Sequence, residues 1–518
     1  MVIIGGKPLT LNDFYNILYK NEDVDLSDEA KVKVNSCFEF LKKFSQDKVI
    51  YGINTGFGPM AQYKINDKDQ ITLQYNLIRS HCSGMGKPIP EIYVKSLMIA
   101  RLNSLSLGFS GIGLQSLYLI VKLINSGVSP VIFEHGSVGA SGDLVQLAHL
   151  ALGLIGEGYV HVNGKMLLAK DVFIDNNIQP LEIQTREGLA IMNGTSAMTG
   201  IGIINILHSK NLLSWALVCA SMINELVQSY DDHFSVELNH VKLHEGQQKI
   251  AAAMRTLTEG SQLIRKRADH LYNKKVEDSY LIEKVQEYYS LRCVPQILGP
   301  ILDTIQNAEK ILIQEVNSVN DNPIIDVEAK NVYHGGNFHG DYIALEMDKL
   351  KIAITKLSML LERQLNFLLN DKLNNILPPF VNLGVLGLNF GMQGLQFTAT
   401  STTAENQTLA YPMYCHSIPN NNDNQDIVSM GSNAALLTKK VIDNSFEVLA
   451  IELIAILQAV DYLKFEKRLS PHSSEIFYQL RKIVPKFEKD APKFEEIEKL
   501  KQFLLNEKLD VIPEYKFL

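Results

Sequence analysis

Five consecutive residues, Gly139-Ala140-Ser141-Gly142-Asp143, can build an electrophile from the polypeptide itself. Attack of the Gly142 amide nitrogen on the Ala140 carbonyl carbon closes a five-membered imidazolone with loss of one water. Loss of a second water from Ser141 leaves an exocyclic methylidene conjugated to the ring. Glycine offers an unhindered nitrogen and tolerates strained dihedrals. Alanine adds little bulk, and serine supplies the hydroxyl that leaves. Natural side chains include many nucleophiles but no good carbon electrophile, so such a group would set the chemistry. The same residues also fit an ordinary helix N-terminus before the apolar run Leu144 to Ile155, with Ser141 as cap and Asp143 in the first turn.

Other stretches carry further reactive groups, each with a plain alternative. Tyr51-Gly-Ile-Asn-Thr-Gly-Phe-Gly58 lacks the Lys-Ser/Thr pair of a phosphate loop, but it can bring a tyrosine over a pocket as a general base. A packed tyrosine in a turn is the alternative. A tyrosine base must be at least partly phenolate, which demands positive potential nearby. His81 sits in the polar stretch Ser80 to Gly84, where a histidine is either a surface residue or a substrate contact. Tyr289 and Arg292 fall three apart on a helical face, and the arginine fork suits either a protein carboxylate or that of an amino acid. His240 and His244 have zincin spacing, yet position 241 is Val where the glutamate would stand, so no metal is expected.

The elements that must position these groups are mainly helical. Ile343, Met347, Leu350, Ile354, Leu357, Leu361 and Leu368 recur at spacings of three, four or seven. With no Gly or Pro from Tyr342 to Lys372, the spacing predicts a helix of roughly 45 Å at 1.5 Å per residue. Similar helices are expected from Ser209 to Tyr230, from Glu283 to Val316 with an irregularity at Pro295, and from Val441 to Leu463. The fold class is therefore all-α: a long helix bundle beside a smaller N-terminal region of loops and helices. The N-terminal region (1–205) has glycine-rich loops at 52–58, 84–86 and 136–142, the long-helix core takes 206–469, and a charged helical cap takes 470–518. Pro378 to Gly431, rich in Asn, Gln, Thr and Gly, reads as a functional loop within the core. Mixed helix faces suggest self-association.

Composition narrows the class. Of 518 residues, 46% are apolar and 20% charged, which suits a large folded core. A net charge of −8 and pI near 5.9 argue against nucleic-acid and membrane surfaces. Cys37, Cys82, Cys219, Cys293 and Cys415 are scattered and odd in number, as expected of reduced thiols in a cytoplasm. Asp443, Glu447, Glu452 and Asp461 interrupt the apolar run Val441 to Leu463, making it a core helix rather than a membrane span.

Together these segments resemble the aromatic amino acid ammonia-lyase family, which includes the histidine, phenylalanine and tyrosine lyases. The resemblance covers roughly Asn12 to Leu463 and rests on motifs in order: 51–58, Gly136 to Leu144, Glu187 to Thr195, Tyr289 to Cys293, Asp321-Asn-Pro323, Gly335-Gly-Asn-Phe-His339 and Gln425 to Gly431. The wording around 57–63, 288–300 and 416–431 is similar to flavobacterial-type tyrosine lyases. The resemblance implies a homotetramer whose active sites each draw on three subunits. It implies that Ala140, Ser141 and Gly142 mature into a methylidene-imidazolone, with no external cofactor. It further implies Tyr51 as base, Asn193 beside the prosthetic group and substrate, and Phe338 packed against the electrophile. Tyr289 and Arg292 would come from a neighbouring subunit, Arg292 on the carboxylate; Gln286 and Gln425 would complete the polar shell, and Glu405 would sit near the amine. His81 would meet the far end of the ring, where it can bond a phenol or an imidazole. The Ser80-His81 pair matches histidine lyases, while Asn424-Gln425-Asp426 leans toward the phenylalanine and tyrosine lyases. The expected activity is L-tyrosine to p-coumarate and ammonia, with L-histidine to urocanate and ammonia as the alternative. Phenylalanine would leave His81 unpaired. An aminomutase sharing the prosthetic group would instead return β-amino acids.

Overall fold

Apolar residues spaced by three and four produce four long helices: Ser196–Leu226, Val294–Val316, Asp341–Leu369 and Gly431–Leu463. The computed structural model describes residues 1–46, 48–272, 279–281 and 284–512. Strands are confined to ladders of three or four residues, so the class is all-α. Ser196–Leu226 is the one helix among the described residues long and apolar enough to cross a membrane by length and composition. Its most apolar window is 94% buried inside the protein, as in a core helix.

Several boundaries differ from the sequence expectation. The first long helix starts at Ser196 rather than Ser209, through Gly200 and Gly202, which weaken helix propensity. Packing compensates: a Cβ on Gly200 would lie 2.4 Å from the Leu97 nitrogen, and Ser96 Oγ donates to the Gly200 carbonyl at 2.7 Å. Glu283 lies outside the described residues. Downstream of it the helix is broken, with one turn at Tyr289–Arg292, a break at Cys293, and Val294–Val316 beyond. Pro295 fits this break, since it stands in the first turn of the new helix, where a missing N–H loses no bond within that helix. The stretch 378–431 is not a continuous loop, because it contains the helix Gln393–Leu409. That helix buries Leu395, Ala399, Thr403 and Asn406 on one face. Asn406 Nδ2 donates to Ser358 Oγ and Ser445 Oγ, both at 3.2 Å, so tertiary bonds override its Thr-rich composition.

Contacts divide the chain into two units. The first comprises Met1–Ile206, Ala308–Asp348 and Pro412–Lys439; the second comprises Leu207–Asn307, Lys349–Tyr411 and Lys440–Leu518. In the first unit, the helices Gln70–His81, Leu144–Leu154 and Glu187–Met192 pack on one another. Cys37, Leu41, Ile50, Ile53 and Ile325 form a separate apolar cluster. Ile50 and Ile53 thereby anchor both sides of Tyr51. In the second unit, the charged tail forms Pro471–Arg481 and Phe494–Asn506, which bury Phe477, Leu480, Leu500 and Leu504; residues 513–518 of the expected cap lie outside the described residues.

Glu452, on the helix Gly431–Leu463, is a fully buried charge. Its side chain has no exposure, and neither carboxyl oxygen has a hydrogen-bond partner among the described residues. Burial pushes its carboxyl well above the usual range. A raised folded-state value means that stability present below the unfolded-state value of about 4.5 is lost as pH rises. Glu452→Met is expected to raise unfolding free energy by roughly 1–3 kcal/mol at neutral pH. Denaturant unfolding should show that gain growing between pH 5 and pH 8; an equal gain at both would refute the account.

Candidate active site

The loop from Gly136 to Asp143 is held in a conformation that only glycine adopts easily. Gly139 and Gly142 have φ of +71° and +68°. Gly142 lies against Gly194, and a Cβ on it would approach the Gly194 carbonyl oxygen to 2.0 Å. Asp143, rather than Ser141, occupies the N-cap position of Leu144–Leu154, so the plain capping expectation for Ser141 does not hold. The Asp143 carboxylate has no exposure. It accepts from Ser137 Oγ at 2.7 Å, Ser432 Oγ at 2.6 Å and the Met198 N–H at 2.8 Å. Burial lifts this carboxyl above the usual carboxylate range, against the pull of those donors. The Gly139 carbonyl accepts from Ser429 Oγ at 2.9 Å and the Gly340 N–H at 3.1 Å.

Ser141 is thereby presented between two amides. Asn193 Nδ2 donates to its carbonyl oxygen at 2.9 Å, and Gln425 Nε2 donates to its hydroxyl at 2.8 Å. Asn193 is the C-cap of Glu187–Met192, so the end of that short helix aims its side chain. Ser141, Asn193 and Gln425 line a cavity of about 840 Å³ together with Tyr51, His81 and Phe338. Ala140 and Gly142 are buried behind Ser141. Of the expected residues in the first unit, every side chain proposed to contact substrate thus reaches one cavity.

Tyr51 stands at the start of its loop with its hydroxyl accepting from the Gly58 N–H at 3.2 Å. Phe57 packs edge-on against its ring, with centroids 6.2 Å apart. Gly52 is fixed by contact, since a Cβ there would lie 2.5 Å from Leu189 Cδ2. The buried Gln74 ties this loop to the helix carrying His81: its Nε2 donates to the Gly52 carbonyl at 3.4 Å, and its Oε1 accepts from the Leu189 N–H at 3.0 Å. His81 ends Gln70–His81, with Nδ1 2.9 Å from the Leu77 carbonyl oxygen and 3.0 Å from Ser80 Oγ. A carbonyl only accepts, so Nδ1 carries the proton, and Nε2 of the neutral ring is an acceptor.

Gln286, Tyr289, Arg292 and Glu405 belong to the second unit. Arg292 Nη1 donates to Gln286 Oε1, and its guanidinium lies 4.7 Å over the Tyr289 ring. Gln286 and Tyr289 line a separate cavity of about 670 Å³ with Arg363 and Phe367, and Tyr289 is 70% exposed. Glu405 accepts from Asn444 Nδ2 at 2.6 Å and pairs with Lys440 at 3.4 Å, which hold its carboxyl below the usual range.

His334 and Asn322 also line the cavity, and the residue-by-residue reading missed both. Signals were available, since Asn322 is inside the Asp321–Pro323 motif and His334 directly precedes Gly335. His240 and His244 do not share a helix: one helix ends at His240 and the next begins at Glu245. Among the described residues there is no cluster of three or more His, Cys, Asp or Glu able to hold a metal.

Residues 9–482 match the family model described as aromatic amino acid lyase. The chain is 39% identical to a tyrosine 2,3-aminomutase of Myxococcus sp. (strain Mx-B0), covering 96% of this chain and 95% of that one. It is 38% identical to a histidine ammonia-lyase of Shouchella clausii (strain KSM-K16), covering 98% of each. The crystal structure of a tyrosine aminomutase from Streptomyces globisporus superposes with a TM-score of 0.93 at 36% identity, covering 97% of this chain and 96% of that one. With most of its length matched by the family model, and close relatives spanning it nearly end to end, the chain is a member of the aromatic amino acid lyase family of enzymes.

Proposed function

We propose that the protein removes ammonia from L-tyrosine to give p-coumarate, with a methylidene-imidazolone formed from Ala140, Ser141 and Gly142. The observation that carries this reading is the placement of Ser141 between Asn193 and Gln425 on the wall that also bears Tyr51 and His81. The residues fit the group: Gly142 has no room for a side chain, and the Ser141 hydroxyl, which must leave, already accepts a hydrogen bond. When formed, the imidazolone supplies an electrophilic carbon that makes the substrate amine a better leaving group. Asn193 keeps a donor on the Ser141 carbonyl oxygen, an atom the ring retains. Tyr51 takes the β-proton, and the Gly58 N–H supports the oxygen that does so. Phe338 packs beside the electrophile. His81 Nε2 accepts the phenol hydroxyl at the far end of the ring. Leaving such an acceptor unpaired rejects a substrate without a polar ring tip.

In this reading a homotetramer completes the site, with Tyr289 and Arg292 arriving from a neighbouring copy, Arg292 on the carboxylate. Gln286 adds to the polar shell, and Glu405 lies near the amine. The exposure of Tyr289 beside Arg292 in the single chain supports it. A second reading, histidine ammonia-lyase, has support in relatives of that name and in the same His81 acceptor. A third, 2,3-aminomutase, has support in the names of other relatives.

Parallel assays with tyrosine, histidine and phenylalanine, analysed for free ammonia and for β-amino acids, separate the three readings. The fastest substrate is expected to be tyrosine with equimolar ammonia; β-tyrosine as the main product would overturn ammonia-lyase activity. His81→Phe should shift the ratio of kcat/KM toward phenylalanine by at least tenfold, roughly the worth of one lost buried hydrogen bond. Ser141→Ala should abolish turnover and restore the two missing waters to the intact mass. Tyr51→Phe and Arg292→Ala should each be inactive alone yet regain activity when co-expressed, as intact sites form in mixed tetramers. Failure of that complementation would count against shared sites.

A further inference from the structure

A buried arginine that the reaction scheme does not use lies against the Tyr51 loop. Arg186 has no exposure, although it carries a full charge. Its backbone is left-handed, with φ +79° and ψ −28°, a conformation unusual for a long side chain and retained only when the surroundings impose it. The guanidinium is paired with one carboxylate through one of its three nitrogens. Nη2 donates to Asp321 Oδ2 at 3.4 Å and to the Pro323 carbonyl at 3.3 Å, while Nε and Nη1 have no hydrogen-bond partner among the described residues. The unpartnered Nη1 faces the Tyr51 loop, because a Cβ on Gly52 would lie 3.6 Å from it.

We infer that Arg186 is a positioning residue that supplies the buried positive potential favouring the phenolate form of Tyr51. The inference rests on the reading of Tyr51 as the base. Burial makes the field effective, since a guanidinium with no solvent exposure is weakly screened. Burial pulls the Arg186 guanidinium below its ordinary value, and the opposing influences are Asp321 first and the Tyr51 phenol second.

Other groups around Tyr51 do not supply this charge. His334 is held below its ordinary value by burial and then by Arg186 itself. His81 shares the cavity wall, with its Nδ1 on the Leu77 carbonyl. The Cys37 thiol is pushed up to about 12 by burial and stays neutral. Glu187 turns its carboxylate to Gly113, Ser116 and Gln184. Arg101, lowered to about 10 by burial, is bonded to Asn320 and the Ala190 carbonyl. Asp321 pairs with Arg186 and offsets part of its charge.

The test is the pH profile of kcat/KM on tyrosine, with intact mass and oligomer size as controls for folding and maturation. Arg186→Gln should move the acidic limb to higher pH by about one unit, a tenfold loss below the limb that shrinks as pH rises. Arg186→Lys should return the limb toward the parent. Asp321→Asn should move it the other way, to lower pH, and serves if Arg186→Gln does not fold. An unmoved limb in a folded, matured Arg186→Gln, or a limb in Asp321→Asn that stays or rises, overturns the inference. Activity retained in Tyr51→Phe would overturn the base assignment together with it, whereas an unmoved limb beside an inactive Tyr51→Phe overturns the Arg186 role alone.

Discussion

The first unit is organised around one buried carboxylate. Asp143 accepts hydrogen bonds from Ser137 in its own loop, from the Met198 N–H at the start of a long helix, and from Ser432 at the start of another. Its own N–H donates to the Gly194 carbonyl at 2.8 Å. Two segments remote in sequence, 194–198 and the stretch at Ser432, therefore converge on this one residue. An unsolvated carboxylate is costly unless its lone pairs are satisfied, so the loop has little freedom to leave this geometry. Gly142 against Gly194, and Ser141 between its two amides, follow from that restraint.

Polar groups on the cavity wall come mainly from the ends of elements. His81 ends one helix, Asn193 caps another, and Ser141 stands two residues before the N-cap of a third, while these three helices pack on one another. Helix ends leave backbone groups free to bond side chains, and packed helices hold those ends still. Tyr51 reaches the wall differently, on a loop anchored by Ile50 and Ile53 and tied by Gln74. Behind this wall lies a layer of buried charge, Arg101, Arg186 and Asp321, in which pairing is incomplete.

Much of this was legible in the residues themselves. The four long helices follow from apolar spacing, and the loop chemistry of 139–143 follows from residue type. Less legible were Gly200 and Gly202, which look like helix breakers until Leu97 is seen beside the first. The helix Gln393–Leu409 was equally obscure, because its stability comes from bonds to residues distant in sequence. His334 escaped notice because a single histidine before two glycines carries no periodic signal.

By itself, the sequence determined the helical class, the stretch proposed to cyclise, and the family to which the chain belongs, because these depend on local periodicity and on residues kept in order along the chain. Tertiary structure alone decided that 308–348 and 412–439 join the first unit, bringing Phe338 and Gln425 to the same cavity as Ser141. It also decided that a buried guanidinium stands beside the Tyr51 loop. Distances between residues hundreds of positions apart, and the solvent each loses, are properties of packing that no local pattern encodes.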